Sequence, residues 1–249
     1  MKKQFTLSFL LLTFVAQAQV IPVGFIKKGV NNLLLYLDAT KTASYDVVTS
    51  TTTWKDISGQ SPSNNATLSG SPTFASGSFT FGANKRALTS QFIPSLSSAT
   101  FVAWVNPSAN NFGSGIIFSR GGNGLATGTA TGMHLGGSNI VAYHWNDQNM
   151  NWNSNLVVPI NAWSMIAITI STDKAVAYLC NSNGISSATN TASHSAVSGL
   201  NFFIANDPVF GAANRAFTGK LATAMVYSTA LTSSEIASIF NAQKASFGL

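Results

Sequence analysis

Short apolar runs separated by turn residues recur along most of this chain. Runs such as Thr100–Val105 and Ile140–Trp145 are rich in β-branched and aromatic residues, and clusters of Ser, Pro, Gly and Asn lie between them. Such runs are typical of β-strands. No helical repeat interrupts them before residue 232. About a dozen short strands with this spacing predict an all-β sandwich of two antiparallel sheets.

Several neighbouring runs are predicted to form hairpins. Gly132–Gly136 is expected to pair with Ile140–Trp145, and Ala162–Ile170 with Lys174–Cys180. The second hairpin is followed by the dipeptide Asn183-Gly184. Asn-Gly favours the tight turns that connect antiparallel strands. These pairs therefore predict local antiparallel ladders.

The closing segment of the chain combines a strand with a helix. Phe217, Leu221, Met225 and Tyr227 stand at even spacings. Because side chains alternate along a strand, the spacing predicts that all four lie on one face. The segment after residue 231 has the pattern of a short helix.

A capping box marks the start of the predicted helix. Thr232 precedes Glu235 by three residues, so the hydroxyl and the carboxylate can each accept a backbone N–H at the helix N-terminus. The apolar stripe that follows comprises Ile236, Ile239, Phe240 and Phe247. We expect the stripe to face the sandwich.

The N-terminus has the organisation of a secretory signal peptide. Met1 is followed by two lysines, an apolar run extends from Phe5 to Val15, and Ala16–Ala18 forms an A-x-A cleavage site. We expect residues 1–18 to be removed and residues 19–32 to form a lead segment. No later run is long enough to cross a membrane. The expected location is secreted, extracellular or on the cell surface, with the periplasm as the alternative.

Several motifs together resemble LamG-like jelly-roll domains of the concanavalin A-like lectin/glucanase superfamily. The matching positions are Leu33–Asp38, Trp54–Gly59, Trp104 with Pro107, Asn206–Pro208, Gly219, Val226-Tyr227, Ala230–Thr232 and Glu235-Ile236. The resemblance implies a two-sheet antiparallel jelly-roll sandwich with a short C-terminal helix, extending over residues 33–249. The chain departs from the family pattern at Ala205 and at Thr223.

The carboxylates do not match the glycoside hydrolases of that superfamily. Such enzymes need two carboxylates beside the scissile bond. The chain has one glutamate, Glu235, which the capping box explains, and six aspartates that stand singly. His134, His144 and His194 lack the close spacing of common zinc motifs. We therefore expect a protein without enzymatic activity.

Calcium is the one cofactor that the resemblance implies. Asp38, Asp56 and Asp207 are the candidate ligands, because they occupy the turns of the family motifs. The alternative is that each carboxylate caps its own turn. Cys180 is the only cysteine and lies within a strand pattern, so we expect a buried thiol without a disulfide.

The segment Tyr143–Asn153 is the candidate ligand site. Two tryptophans flank a run of Asn, Asp and Gln, and sugars bind on aromatic faces beside amides and carboxylates. If the segment is a sugar platform, the Trp145 ring should be partly exposed, with Asp147 and Asn149 beside it. The alternative is that both tryptophans are ordinary sandwich residues. The candidate residues are His144, Trp145, Asp147, Asn149 and Trp152.

The expected function is that of a carbohydrate-binding or adhesion module. Only 8% of residues are charged, and neutral polar residues dominate the rest of the polar surface, which suits contact with sugars. The formal net charge is +6, but the basic residues are scattered, which argues against nucleic acid as a partner. The alternatives are a structural or protein-interaction subunit of an extracellular assembly and an unusual hydrolase.

Overall fold

The computed structural model describes residues 32–90, 95–120, 130–146, 152–197, 201–207 and 215–249. Within these ranges the chain forms two antiparallel sheets and one α-helix, which confirms the predicted jelly-roll sandwich. The strands are β1 Leu33–Asp38, β2 Thr53–Trp54, β3 Ala66–Ser69, β4 Thr73–Ala75, β5 Ser78–Phe81, β6 Arg86–Thr89, β7 Ala99–Pro107, β8 Ser114–Arg120, β9 Ala130–Leu135, β10 Ile140–His144, β11 Trp152–Val157, β12 Ser164–Ile170, β13 Ala175–Asn181, β14 Gly184–Asn190, β15 Phe203–Ile204 and β16 Gly219–Tyr227. The helix, α1, is Ser233–Gln243.

The strand order mixes local hairpins with long connections. The first sheet has the order β14-β13-β12-β7-β16-β5-β4, and β1 pairs with β16 beside β5. The second sheet has the order β11-β10-β9-β8-β15-β6-β3-β2. In each sheet, strands from the first half of the chain pair with strands from the second half, as β7 does with β16 and β8 with β15, so the fold requires contacts between residues far apart in sequence.

The predicted hairpins are confirmed. In the β9–β10 ladder Val141 lies opposite Leu135. In the β12–β13 ladder Ala167 lies opposite Tyr178, and Asn181 and Gly184 close the β13–β14 turn. The local alternation of apolar runs and turn residues was therefore enough to identify these pairs.

The core lies between the inward faces of the two sheets. Its largest buried side chains include Trp54, Phe79, Phe101, Tyr143 and Trp145. A second apolar cluster lies on the opposite face of the first sheet and is covered by α1. The first sheet is thus apolar on both faces, which explains why β7 and β12 read as continuous apolar runs.

The prediction that Phe217, Leu221, Met225 and Tyr227 share one face is wrong. The β16–β7 register shifts between Leu221 and Thr223, so one extra residue stands in β16. A bulge of this kind reverses the alternation beyond it. Leu221 consequently packs between the sheets, whereas Met225 and Tyr227 pack under α1.

The capping box of α1 is confirmed. The backbone N–H of Glu235 donates to Thr232 Oγ1 at 3.3 Å, and the backbone N–H of Thr232 donates to Glu235 Oε2 at 2.8 Å. Ile236, Ile239 and Phe240 are buried against the first sheet, as predicted. The helix ends in a 3-10 turn, Lys244–Phe247.

Replacing Thr232 by Ala is expected to lower the free energy of unfolding by about 0.5–2 kcal/mol, because it removes an N-cap acceptor. Denaturant unfolding monitored by tryptophan fluorescence measures the change. Ser238→Ala is the control, since it removes a hydroxyl within α1 that donates to the Ser234 carbonyl oxygen and does not cap the helix. Equal effects of the two substitutions would contradict the role given to the cap.

Candidate functional site

The second sheet presents two histidines on the face that points away from the first sheet. Met133 and Tyr143 pack into the core between the sheets. Because side chains alternate along a strand, their neighbours His134 and His144 point outward. His134 lies opposite Ala142 in the β9–β10 ladder, so the two rings are diagonal neighbours. Their centroids are 4.9 Å apart, and the ring planes are inclined by 37°.

The His134 ring is buried beside the His144 ring. The residue is 4% exposed, and neither Nδ1 nor Nε2 has a hydrogen-bond partner among the residues that the structure describes. Burial and the neighbouring His144 lower the pKa of His134 to about 3. The edge-to-face contacts of both rings with Phe118, at 5.8 and 5.6 Å, help to hold the pair in place. His134 is therefore a neutral imidazole at physiological pH.

A cavity of about 150 Å³ opens beside the two histidines. We call it the outward-face cavity, and its described lining is Phe112, Gly113, His134, Gly136, Gly137, His144, Asn153 and Arg215. Phe112 is 76% exposed at this cavity. A Cβ atom at Gly136 would lie 2.5 Å from Asn153 Oδ1, so the glycine allows this amide to approach the backbone closely.

An ion pair borders the same cavity. Arg215 Nη1 lies 3.0 Å from Asp207 Oδ2. The Asp207 side chain is 1% exposed, whereas the Arg215 side chain is 27% exposed. The backbone N–H of Asp207 also donates to the Arg215 carbonyl oxygen at 3.2 Å. The guanidinium is therefore the member of the pair that a solute in the cavity can contact.

The described lining suits binding more than acid–base chemistry. An exposed aromatic ring can contact the apolar C–H face of a sugar, and amide, imidazole and guanidinium groups can donate hydrogen bonds to its hydroxyls. None of the described lining residues carries a carboxylate. These residues thus provide an aromatic contact and donors, without the acid pair of a glycosidase.

The expected exposure of Trp145 is wrong. Trp145 is 0% exposed and belongs to the core between the sheets. Its Nε1–H donates to the Ser195 carbonyl oxygen at 2.6 Å, and its ring meets the His194 ring edge-to-face at 6.3 Å. The residue follows His144, which points outward, so alternation turns the indole inward. A sugar cannot stack on this ring.

The other candidate residues have different outcomes. His144 lines the outward-face cavity. Trp152 begins β11 and is partly buried, with its ring 5.9 Å from the Tyr143 ring, which matches the alternative of an ordinary sandwich residue. Asp147 and Asn149 lie outside the described residues. A ligand role for the Tyr143–Asn153 segment therefore stays a prediction, now without an exposed Trp145.

His194 is placed on the opposite side of the second sheet from the other two histidines. Its Nε2 lies 2.7 Å from Tyr143 Oη, and the Asn190 amide donates to the same oxygen at 2.9 Å. Burial lowers the pKa of His194. The side chain thus belongs to the packing around Tyr143 and is remote from the outward-face cavity.

The three aspartates predicted as calcium ligands have protein partners. Asp38 accepts from the Thr40 backbone N–H and hydroxyl and from Tyr36 Oη–H. Asp56 accepts from the backbone N–H groups of residues 36, 58 and 64. Asp207 pairs with Arg215. The residues that the structure describes contain no group of three or more His, Cys, Asp or Glu able to hold a metal ion.

Phe112 and Arg215 line the cavity but were not predicted from the sequence, whereas Asn153 is the last residue of the predicted Tyr143–Asn153 segment. Phe112 lies among many similar Ser- and aromatic-containing stretches, and Arg215 is one of several scattered basic residues. No local pattern distinguishes them. Only the pairing of distant strands brings them to His134 and His144. Cys180, by contrast, is a buried free thiol as predicted, and burial raises its pKa to about 12.

Solved structures with the same fold include carbohydrate-active proteins. Domain 4 of AbnA, a GH43 extracellular arabinanase from Geobacillus stearothermophilus in complex with arabinotriose, is 12% identical with a TM-score of 0.59, over 82% of this chain and 96% of that one. A GH54 α-L-arabinofuranosidase is 9% identical with a TM-score of 0.61, over 89% and 64%. A Trypanosoma rangeli sialidase is 14% identical with a TM-score of 0.57. The superposed region covers 87% of this chain and 33% of the sialidase chain. These likenesses show the fold alone.

Sequence comparison gives a family match. The family model described as the concanavalin A-like lectin/glucanases superfamily matches residues 76–237, which is more than half of the chain. Among curated proteins no sequence matches. Across the part of the chain that the structure describes, no helix has the length and apolar character needed to cross a membrane.

Proposed function

Because the chain belongs to the concanavalin A-like lectin/glucanase superfamily, we propose that it is a secreted module that binds carbohydrate in the outward-face cavity without catalysing a reaction. The observation that carries the proposal is the placement of an exposed aromatic ring, Phe112, beside the donors of Asn153, Arg215 and the histidine pair. The arabinotriose complex of the AbnA domain supports a carbohydrate ligand for this fold.

The dimensions of the cavity favour a single sugar unit. Its volume of about 150 Å³ is smaller than the roughly 300–1,000 Å³ of sites for drug-sized ligands. One sugar ring would occupy the space above His134 and His144. The rest of a glycan would extend past Phe112 into solvent, where the exposed ring offers an apolar contact.

The positions and partners of the described acidic side chains support the proposal that the cavity does not catalyse a reaction. A glycosidase holds two carboxylates about 5–9.5 Å apart. Asp207 is buried and paired with Arg215. Glu235 is part of the α1 capping box, on the other sheet. Neither carboxylate is placed to act with a second one on a sugar in the cavity.

A protein-interaction role is the second candidate function. Val48 is 88% exposed and Val47 is 55% exposed on the turn that Asp46 caps. Two adjacent exposed valines are a small apolar contact surface of the kind that a protein partner can cover. This function predicts co-purifying proteins and no affinity for sugars.

Phe112→Ala is the direct test of the proposed site. We expect it to weaken binding of a glycan identified on an array by about 5–150-fold, the effect of losing an anchor contact worth about 1–3 kcal/mol. The melting temperature should stay unchanged, because the ring is mostly exposed. Calorimetric titration and thermal unfolding measure the two quantities on the same sample.

Val48→Ala is the matched control for this experiment. It removes another largely exposed apolar side chain, from a turn that is not part of the described cavity lining. Its glycan affinity should equal that of the unsubstituted chain. Unchanged affinity in Phe112→Ala would exclude this site, and a chain that binds no glycan but retains a protein partner would favour the second function.

A further inference from the structure

A second cavity, of about 70 Å³, lies on the face of the first sheet that α1 covers. We call it the α1 cavity. Tyr36 and Asp38 of β1 and Thr223 of β16 form its buried floor, and Gln243 and Phe247 line it from the end of α1 and the 3-10 turn after it. It shares no described lining residue with the outward-face cavity.

The bulge in β16 brings Thr223 to this cavity. Leu221 and Ala224 pack between the sheets. The extra residue between them leaves both Ala222 and Thr223 on the face under α1. Thr223 lies directly opposite Asp38 in the β1–β16 ladder. A hydroxyl and a carboxylate from two neighbouring strands therefore meet at the floor of the α1 cavity.

The Thr223 hydroxyl can bond a ligand. The residue is 1% exposed, and its Oγ1 has no hydrogen-bond partner among the residues that the structure describes. Buried polar atoms in folded proteins are nearly always hydrogen-bonded. A buried hydroxyl at a cavity therefore indicates a site for a polar group.

Asp38 provides an acceptor on the opposite strand. Its Oδ1 accepts from the Thr40 backbone N–H at 3.0 Å and from the Thr40 hydroxyl at 2.6 Å, and its Oδ2 accepts from Tyr36 Oη–H at 2.7 Å. Burial and the neighbouring carboxylate raise the pKa of Tyr36, so the phenol keeps the proton that it donates. Because each carboxylate oxygen has two lone pairs, Oδ2 can accept one further hydrogen bond.

The charges and the size of the cavity favour a small neutral group. The charged residues in its described lining are Asp38 at the floor and Lys41, which is exposed at the rim. The carboxylate repels an anion, and the ammonium offsets the attraction of the carboxylate for a cation. A volume of about 70 Å³ is several times the roughly 10–15 Å³ that one water needs. A group of a few non-hydrogen atoms therefore fits.

We propose that the α1 cavity binds a vicinal diol, the group present in a free polyol and on the terminal sugar of a glycan. One hydroxyl donates to Asp38 Oδ2, and its neighbour accepts from Thr223 Oγ1–H. The C–H groups between them contact the apolar part of the lining, Ala242 and Phe247. The assignment goes beyond the proposed function, because this site lies on the other sheet and does not require the outward-face cavity.

The test is titration of the full ¹⁵N-labelled chain with glycerol, methyl α-D-mannopyranoside and 1,3-propanediol, followed through backbone amide chemical shifts. The amides of Asp38, Thr223 and Gln243 should shift to saturation with at least one of the first two compounds. Binding of glycerol alone would assign the site to free polyols, and binding of the glycoside would assign it to terminal sugars. We expect no saturable shift with 1,3-propanediol, whose hydroxyls are not on adjacent carbons.

Substitutions at Thr223 test the contact directly. Thr223→Val keeps the shape of the side chain and removes the hydroxyl, so it should weaken diol binding by about fivefold or more, whereas Thr223→Ser should retain binding. The valine variant should fold, because the lost hydroxyl bonds no described residue. Ser164→Ala is the matched control, since it removes another buried hydroxyl without a described partner, from β12 and outside the described cavity lining.

Three results would overturn the proposal: no saturable shift with either vicinal diol, equal shifts with 1,3-propanediol, or unchanged diol affinity in Thr223→Val. The amides of Phe112 and Asn153 report separately on the outward-face cavity. Phe112→Ala should leave diol binding in the α1 cavity unchanged. Failure of this site can therefore be distinguished from failure of the proposed function.

Discussion

Trp145→Ala is expected to lower the free energy of unfolding by about 3–5 kcal/mol, the range for truncation of a buried aromatic side chain. The indole is 0% exposed between the two sheets, so the substitution leaves a cavity that the core cannot fill. It also removes the Nε1–H donor of the Ser195 carbonyl oxygen. For a chain of this length the melting temperature should fall by about 6–20 °C.

The glycan affinity of Trp145→Ala, measured below its melting temperature, should equal that of the unsubstituted chain. Trp145→Phe is the control, since it keeps most of the apolar volume and loses the hydrogen bond, and its loss of stability should be clearly smaller. Phe112→Ala is expected to show the reverse behaviour, with lower affinity and unchanged stability. A stable Trp145→Ala with weakened binding would restore the exposed platform that the sequence predicted.

Trp104→Ala is expected to have an effect of similar size on the other face of the first sheet. The ring is fully buried, stacks on Phe247 at 4.0 Å and on Phe240 at 5.8 Å, and donates through Nε1–H to Gln243 Oε1 at 2.7 Å. Its truncation removes the side chain that joins β7 to α1 and to the 3-10 turn after it. We expect a loss of about 3–5 kcal/mol, measured by denaturant unfolding.

The matched control for Trp104 is Trp163→Ala. Trp163 also contacts Phe247, at 4.9 Å, but it is only partly buried. Its truncation should therefore cost clearly less than that of Trp104. Equal losses of unfolding free energy in the two variants would contradict the prediction. They would mean that the buried Trp104 ring stabilises the fold no more than the partly buried Trp163 ring does.

The prediction for Trp145 concerns an error in the sequence-based site. The segment Tyr143–Asn153 is rich in aromatic and amide groups, and composition alone cannot tell which side of a sheet each ring faces. A shift of one residue moves a side chain to the other face. His144 and Trp145 show this directly: one lines the outward-face cavity, and the other lies in the core.

The helix and hairpins were predictable because their causes are local. The Thr232–Glu235 capping box needs only two side chains three residues apart. The β13–β14 turn follows from its Asn-Gly pair, and the β9–β10 and β12–β13 hairpins follow from adjacent apolar runs. The resemblance to the superfamily then predicted how these local elements combine into a two-sheet sandwich.

Local residue patterns were therefore enough to predict the strands with strong alternation, their hairpins, the cap of α1 and the class of fold. Only the folded chain revealed the bulge at Leu221–Thr223, the burial of Trp145 and the meeting of Phe112, Asn153 and Arg215 with the histidine pair. The physical reason is that a bulge and a cavity depend on the register between distant strands. Register is set by the total packing of two faces, and no short stretch of residues encodes it.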